Sequence, residues 1–301
     1  MENVTILVNT CDKYEDVWYP FFKLLKIHWP ECDDNRIVLN TETKVYDCDF
    51  LKVETFCGGS DKTWSQRLKG ALEKIDSEFV LFFLDDFFLM SEVSTESLNE
   101  AVELMKSDES IGYIGLKYNK KHNFRDKSIV SPQEHFLNRD EIITDNRLNC
   151  NTALWRKDWL ASLIRKHENP WEFEKYASIR SRRTDKKVMI INNINNVMAP
   201  VFDYDVEVQY GHGLTMGQWL PKNKELFDKY SIEVDFDRLG INTVYYDYIV
   251  RIKENEGNEE FWANIPKPKF NIMDFLHDLK KLPKKLKKKL IKTIRKIRSL
   301  I

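Results

Sequence analysis

Apolar residues in the first part of the chain come in short runs of two kinds. Val4 to Asn9 (VTILVN), Arg36 to Leu39 and Phe79 to Leu84 (FVLFFL) are compact and rich in β-formers, as expected of strands buried on both faces. Between them the spacing turns helical. Trp18 to Ile27, closed by Trp29-Pro30, predicts one helix, and Trp64, Leu68, Ala71, Leu72 and Ile75, entered at Thr63, predict another. An apolar element at Phe50 to Val53 precedes a turn at Gly58-Gly59-Ser60. Further on, the pattern predicts a helix over Ser97–Met105, a strand over Ile111–Leu116, a polar surface segment over Lys117–Arg147, a helix over Ala153–Ile164, a strand over Val188–Ile194 and a helix over Asn223–Tyr230. Strands and helices that alternate in this way predict an α/β fold with a mostly parallel, Rossmann-like central sheet, which takes ligands at the carboxyl ends of its strands.

With 42% hydrophobic and 13% aromatic residues, the 301-residue chain can bury a core without metal or disulfide support. The five cysteines, at 11, 32, 48, 57 and 150, have no zinc-site spacing, and reduced thiols are expected. The start of the chain has no signal-peptide pattern, and its longest apolar run is far too short for a membrane span. The net charge of −1 conceals a division: Lys280–Ile301 holds nine Lys, two Arg and no acid, which leaves residues 1–279 at −12. Pro266 and Pro268 mark the one clear boundary, giving a domain over 1–265 (with halves 1–116 and 117–265) and a linker and helix over 266–301.

Asp85 and Asp86 directly follow the most apolar strand. Two adjacent carboxylates there must be solvated, paired or bound to a cation. A hard ion, Mg²⁺ or Mn²⁺, would take Asp86 first and bridge to a nucleotide diphosphate. Gly211-His212-Gly213 is the glycine-dense stretch, and His212 is a second candidate metal ligand or a cation beside a leaving group. Trp155, Trp159 and Trp171 lie near the acids Glu172 and Glu174 in sequence, with Trp155 and Trp171 taken as candidates to stack on an acceptor sugar.

The order of strand, helix, strand, Trp64-Ser-Gln-Arg67 helix, strand and Asp85-Asp86 resembles the nucleotide-binding half of GT-A glycosyltransferases, in particular the family-2-like bacterial sugar transferases, over roughly residues 3–200. The resemblance implies donor contacts from Asn9, Thr10, Asp12, Glu42, Arg67, Asp85 and Asp86. It also implies a carboxylate base at Glu174, with Glu172 next, since Glu174 and Arg180 keep the family's interval between acid and arginine. The sequence departs from the family at the acidic motif, where Leu84-Asp85-Asp86-Phe87 replaces Asp-x-Asp. The implied activity is inverting transfer of a sugar from a nucleotide diphosphate donor, a UDP-sugar, to a lipid-linked cell-surface glycan. A sugar nucleotidyltransferase and a non-catalytic, membrane-associated nucleotide-binding protein are the alternatives.

In the tail, Leu286, Leu290, Ile294, Ile297 and Ile301 recur at helical spacing among lysines and arginines. This amphipathic basic helix is expected to lie on an anionic membrane surface rather than on nucleic acid, placing the protein at the cytoplasmic face of the membrane.

Overall fold

The computed structural model describes residues 1–116, 136–138, 147–191, 201–202 and 213–243. The chain divides into two units, Met1–Val250 and Arg251–Ile301, and all described residues belong to the first.

Eight strands form one sheet: β1 (Val4–Asn9), β2 (Arg36–Thr41), β3 (Glu54–Cys57), β4 (Phe79–Leu84), β5 (Ile111–Gly115), β6 (Phe136–Asn138), β7 (Ala153–Arg156) and β8 (Lys187–Ile191). Their order is β3-β2-β1-β4-β7-β5-β8-β6. The first four are mutually parallel and β5 is parallel to β8, while β7 runs antiparallel to both β4 and β5, and β6 runs antiparallel to β8. A two-stranded hairpin, β9 (Leu214–Thr215) and β10 (Gln218–Trp219), stands apart from the sheet.

The α-helices among the described residues are α1 (Glu15–His28), α2 (Trp64–Leu72), α3 (Thr95–Ser107), α4 (Lys157–Leu163), α5 (Pro170–Ser181) and α6 (Asn223–Lys229). They cover both faces of the sheet. On β4, Phe79, Leu81 and Phe83 share one core with residues of α1, α3 and α6, while Val80 and Phe82 share the other with α2, α4 and α5. A side chain buried at this depth contributes about 1.5–3 kcal/mol, so an uninterrupted apolar run is what this central strand requires. Helix α2 starts where a capping box forms. The Thr63 hydroxyl accepts from the Gln66 amide, and the Gln66 side chain accepts from the Thr63 amide.

Two expectations need correction. Residues 153–164 are not one helix: Ala153–Arg156 is β7, and the helix begins only at Lys157. The period-four tryptophans 155 and 159 mimic a helix, but Trp155 fills the sheet and Trp159 packs from α4, both in the same core. The element expected at Phe50–Val53 is displaced to Glu54–Cys57, where Phe56 closes against Gly70 of α2. The strand expected at Val188–Ile194 is described as Lys187–Ile191.

Candidate functional site

Strand β1 connects through α1 to β2 on one side, while its other neighbour, β4, is reached through α2. The crossovers therefore part between β1 and β4. In an open α/β sheet, this switch point is where a crevice forms beyond the strand ends. Thr10 and Cys11 follow β1 there, and Asp85 and Asp86 follow β4.

Three of the expected donor residues, Asp12, Glu42 and Arg67, form a lattice beside this point. The Asp12 carboxylate accepts from the backbone amides of Glu42, Thr43 and Lys44, and from the Thr43 hydroxyl. In return the Glu42 carboxylate accepts from the Asp12 amide at 3.1 Å. Burial pushes the Asp12 carboxyl upward, but the Thr43 hydroxyl and the backbone donors outweigh it and hold the group below its ordinary value. Arg67, on α2 and only 6% exposed, pairs with Glu42 at 3.3 Å and donates from Nη1 to the Lys62 carbonyl at 2.8 Å. Its Nε is buried without a hydrogen-bond partner. Gly58 makes room for it, since a Cβ there would lie 2.7 Å from Arg67 Cγ.

Asn9 lies deeper than expected: it is buried, and its Oδ1 accepts from Asn40 Nδ2 at 2.5 Å, tying β1 to β2. Asp85 is buried too. Its carboxylate accepts from the Thr10 hydroxyl, whose oxygen accepts the Trp18 indole N–H at 2.9 Å. Burial raises the Asp85 carboxyl well above the usual carboxylate range, and the neighbouring Asp86 charge adds to the rise while the Thr10 hydrogen bond opposes it. Burial, with lesser effects of Asp85 and Glu42, lifts the Cys11 thiol to about 11. Burial also raises Tyr14, with contributions from Cys11, Asp85 and Asp86. Thiol and phenol are therefore neutral near pH 7.

Asp86 is the partly exposed member of the pair. Its carbonyl accepts from the Gly213 amide at 2.5 Å, which brings the β9–β10 hairpin to the rim. The hairpin turns through Met216 (φ 50°) and Gly217 (φ 79°), both left-handed as a two-residue type I′ turn demands. Gly217 packs beside the Lys13 ammonium and the Tyr14 hydroxyl, where a Cβ would lie 2.9 and 3.3 Å away.

Among the described residues no three His, Cys, Asp or Glu side chains gather as a metal site. With Asp85 committed to Thr10, the acidic pair presents one accessible carboxylate. That donor set fits a hard divalent ion held mainly by water and ligand phosphate oxygens. His212 lies outside the described residues, as do Leu286, Leu290, Ile294, Ile297 and Ile301.

The antiparallel β7 brings the second half of the chain to the same end of the sheet. Ala153 pairs with Phe82, so the preceding Cys150–Thr152 lies beside the end of β4. Glu174 on α5 accepts the Cys150 amide at 2.7 Å. Glu172 closes a capping box instead: its amide donates to Asn169 Oδ1 at 2.9 Å, and its carboxylate accepts from the Asn169 amide. Arg180 is engaged elsewhere, with a bidentate pair at 2.6 Å to the buried Glu168. The interval between Glu174 and Arg180 therefore does not join them through that pair. Trp155 is not an acceptor contact. It is buried, 4.6 Å edge-on to Tyr113 and packed against Trp159 and Phe173. Trp171 is 76% exposed.

The Thr10–Trp18–Asp85 linkage and the Glu168–Arg180 pair went unseen in the sequence, because both join residues whose proximity only the fold creates. The Asn169-x-x-Glu172 cap was readable from its spacing.

No family model matches the chain, and no curated protein matches it. Solved structures do. S. aureus TarS 1–349 in complex with UDP is 14% identical over 62% of this chain and 57% of that one, with a TM-score of 0.41. A cytidylyltransferase from Leptospira borgpetersenii is 14% identical over 85% and 96% of the two chains (TM-score 0.40), and the 2-C-methyl-D-erythritol 4-phosphate cytidylyltransferase of Thermus thermophilus is 9% identical over 75% and 97% (TM-score 0.42). This chain thus spans little more than half of the TarS fragment. Likenesses at this level assign no substrate.

Proposed function

We propose that the protein is a nucleotide-using transferase that moves a sugar from a nucleotide diphosphate donor, a UDP-sugar, to a lipid-linked glycan acceptor with inversion, at the cytoplasmic face of a membrane that its basic tail engages. The observation that carries this reading is that Asp12, Glu42 and Arg67 are joined beyond the ends of β1 and β2, while Asp85, bonded to Thr10, and Asp86 follow the end of the neighbouring β4. Donor binding at this point uses Arg67 and Asp86 beside the diphosphate and the Asp12–Glu42 loop beside the nucleoside. Asp86 would hold a Mg²⁺ or Mn²⁺ ion, which would supply charge compensation for the leaving diphosphate.

Glu174 acts as the base. The acceptor hydroxyl oxygen bonds to the anomeric carbon as the bond from that carbon to the diphosphate oxygen breaks; the hydroxyl proton passes to the Glu174 carboxylate, and the electron pair leaves with the diphosphate. Asp85 is a positioning residue beneath the site.

Calorimetry with UDP, UDP-sugars and nucleoside triphosphates, with and without Mn²⁺, tests the donor assignment. Binding of UDP that is lost in Asp86→Ala supports it, whereas preference for a free nucleoside triphosphate with turnover of a sugar phosphate would establish the nucleotidyltransferase. Transfer activity retained in full by Glu174→Gln would remove Glu174 from the chemistry.

A further inference from the structure

Helix α5 has two faces of opposite character. Phe173, Ala177, Ser178 and Ser181 are buried against the sheet side, while Trp171, Lys175 and Ile179, spaced four residues apart, form an exposed stripe that Arg182 and Arg183 continue. Trp171 is 76% exposed and Ile179 47%, both among the most exposed large apolar side chains described. The charge around them is also out of keeping with the domain. Residues 165–187 hold eight Lys and Arg against four Asp and Glu, in a chain whose first 279 residues carry −12. Two of those four acids are withdrawn from the surface stripe, Glu168 into its pair with Arg180 and Glu172 into the α5 cap. Arg165, Lys166, Lys175, Arg182 and Arg183 are all exposed.

We propose that this face of α5, with the flanking turns at 165–167 and 182–183, is a docking surface for an anionic lipid bilayer, separate from the basic tail. The chemistry selects that occupant over a purely ionic one. A polyanion in water is satisfied by arginine and lysine and gives no reason to hold an indole and a sec-butyl group in solvent. A headgroup layer over acyl chains offers phosphates to the cations and an amphipathic boundary to the tryptophan. Pro170 at the first helical position and the Asn169–Glu172 cap fix Trp171 at the very start of the helix, so its presentation is set by a rigid element. The inference does not depend on sugar transfer; it assigns a surface to the folded unit.

Full-length protein is mixed with vesicles of phosphatidylcholine alone or with about a third phosphatidylserine, part of the lipid carrying brominated acyl chains. Bromolipid is expected to quench a component of the tryptophan emission on anionic vesicles only, and that component is expected to vanish in Trp171→Phe. Arg182→Glu/Arg183→Glu in the full chain is expected to weaken anionic vesicle binding about fivefold or more, with unchanged melting because both side chains are exposed. Equal quenching in wild type and Trp171→Phe, or unchanged affinity in the double charge reversal, would overturn the assignment. So would a charge reversal that left vesicle binding intact while abolishing binding to single-stranded nucleic acid.

Discussion

The hydroxyl of Thr10, one residue beyond β1, donates to the buried carboxylate of Asp85, one residue beyond β4. Through the same oxygen, which accepts the Trp18 indole N–H, it also reaches α1. One threonine thus fastens the two strands that flank the switch point to the helix that follows the first of them. Asp86, next in the chain, is held where this junction leaves it.

Removing that hydroxyl takes a hydrogen-bond partner from both the Trp18 indole N–H and the Asp85 carboxyl in the interior. Thr10→Val is expected to cost about 1–3 kcal/mol in urea unfolding, whereas Thr10→Ser should stay close to wild type. A loss in Thr10→Ser with Thr10→Val close to wild type would show that the methyl group, and not the hydroxyl, matters at this position.

Asp85 makes stability depend on pH. The folded carboxyl keeps its proton to a higher pH than the unfolded one. Its contribution is therefore complete below about pH 4 and declines as pH rises toward the folded value. Asp85→Asn has no proton to lose. The stability of wild type relative to Asp85→Asn should fall steadily as pH is raised from about 4, and a difference that stays constant from pH 4 to 8 would contradict the shift.

The Glu168–Arg180 pair anchors α5. Glu168 is buried and both of its oxygens are engaged. Arg180→Ala strands that charge, with an expected loss of about 3–5 kcal/mol. Glu168→Leu combined with Arg180→Met should recover most of it, because no buried charge then remains. A double variant as unstable as Arg180→Ala would argue that packing, rather than the ion pair, holds the helix.

Gly213 links the hairpin to the site. A Cβ there would stand 2.0 Å from Phe88, on the residue whose amide donates to the Asp86 carbonyl. Gly213→Ala is expected to destabilise the fold by about 1–3 kcal/mol through overpacking and to weaken nucleotide binding beyond what a neutral surface change does. Thermal melting and calorimetry on the same preparation separate the two effects.

The first half of the fold was legible because its strands are buried on both faces and write themselves as continuous apolar runs; Phe79–Leu84 could be little else. The short β7 was not. Four residues cannot establish a period of two against tryptophans spaced four apart, and its strand conformation comes from the slot between β4 and β5. The pairing of Asp12 with residues 42–44 follows from the parallel register of β1 and β2, which sets the ends of the two strands side by side. The burial of Asp85 was hidden because its partner lies 75 positions away.

The placement of β7 bears on how the chain must be made. Its residues 153–156 separate strands completed by residue 115, so β4 and β5 emerge from a ribosome with no mate between them. Until some forty further residues have been synthesised, both carry open hydrogen-bonding edges at the middle of the nascent sheet, where unpaired strands invite association with other chains. Truncation between residues 116 and 152 should therefore yield aggregates rather than a smaller stable domain.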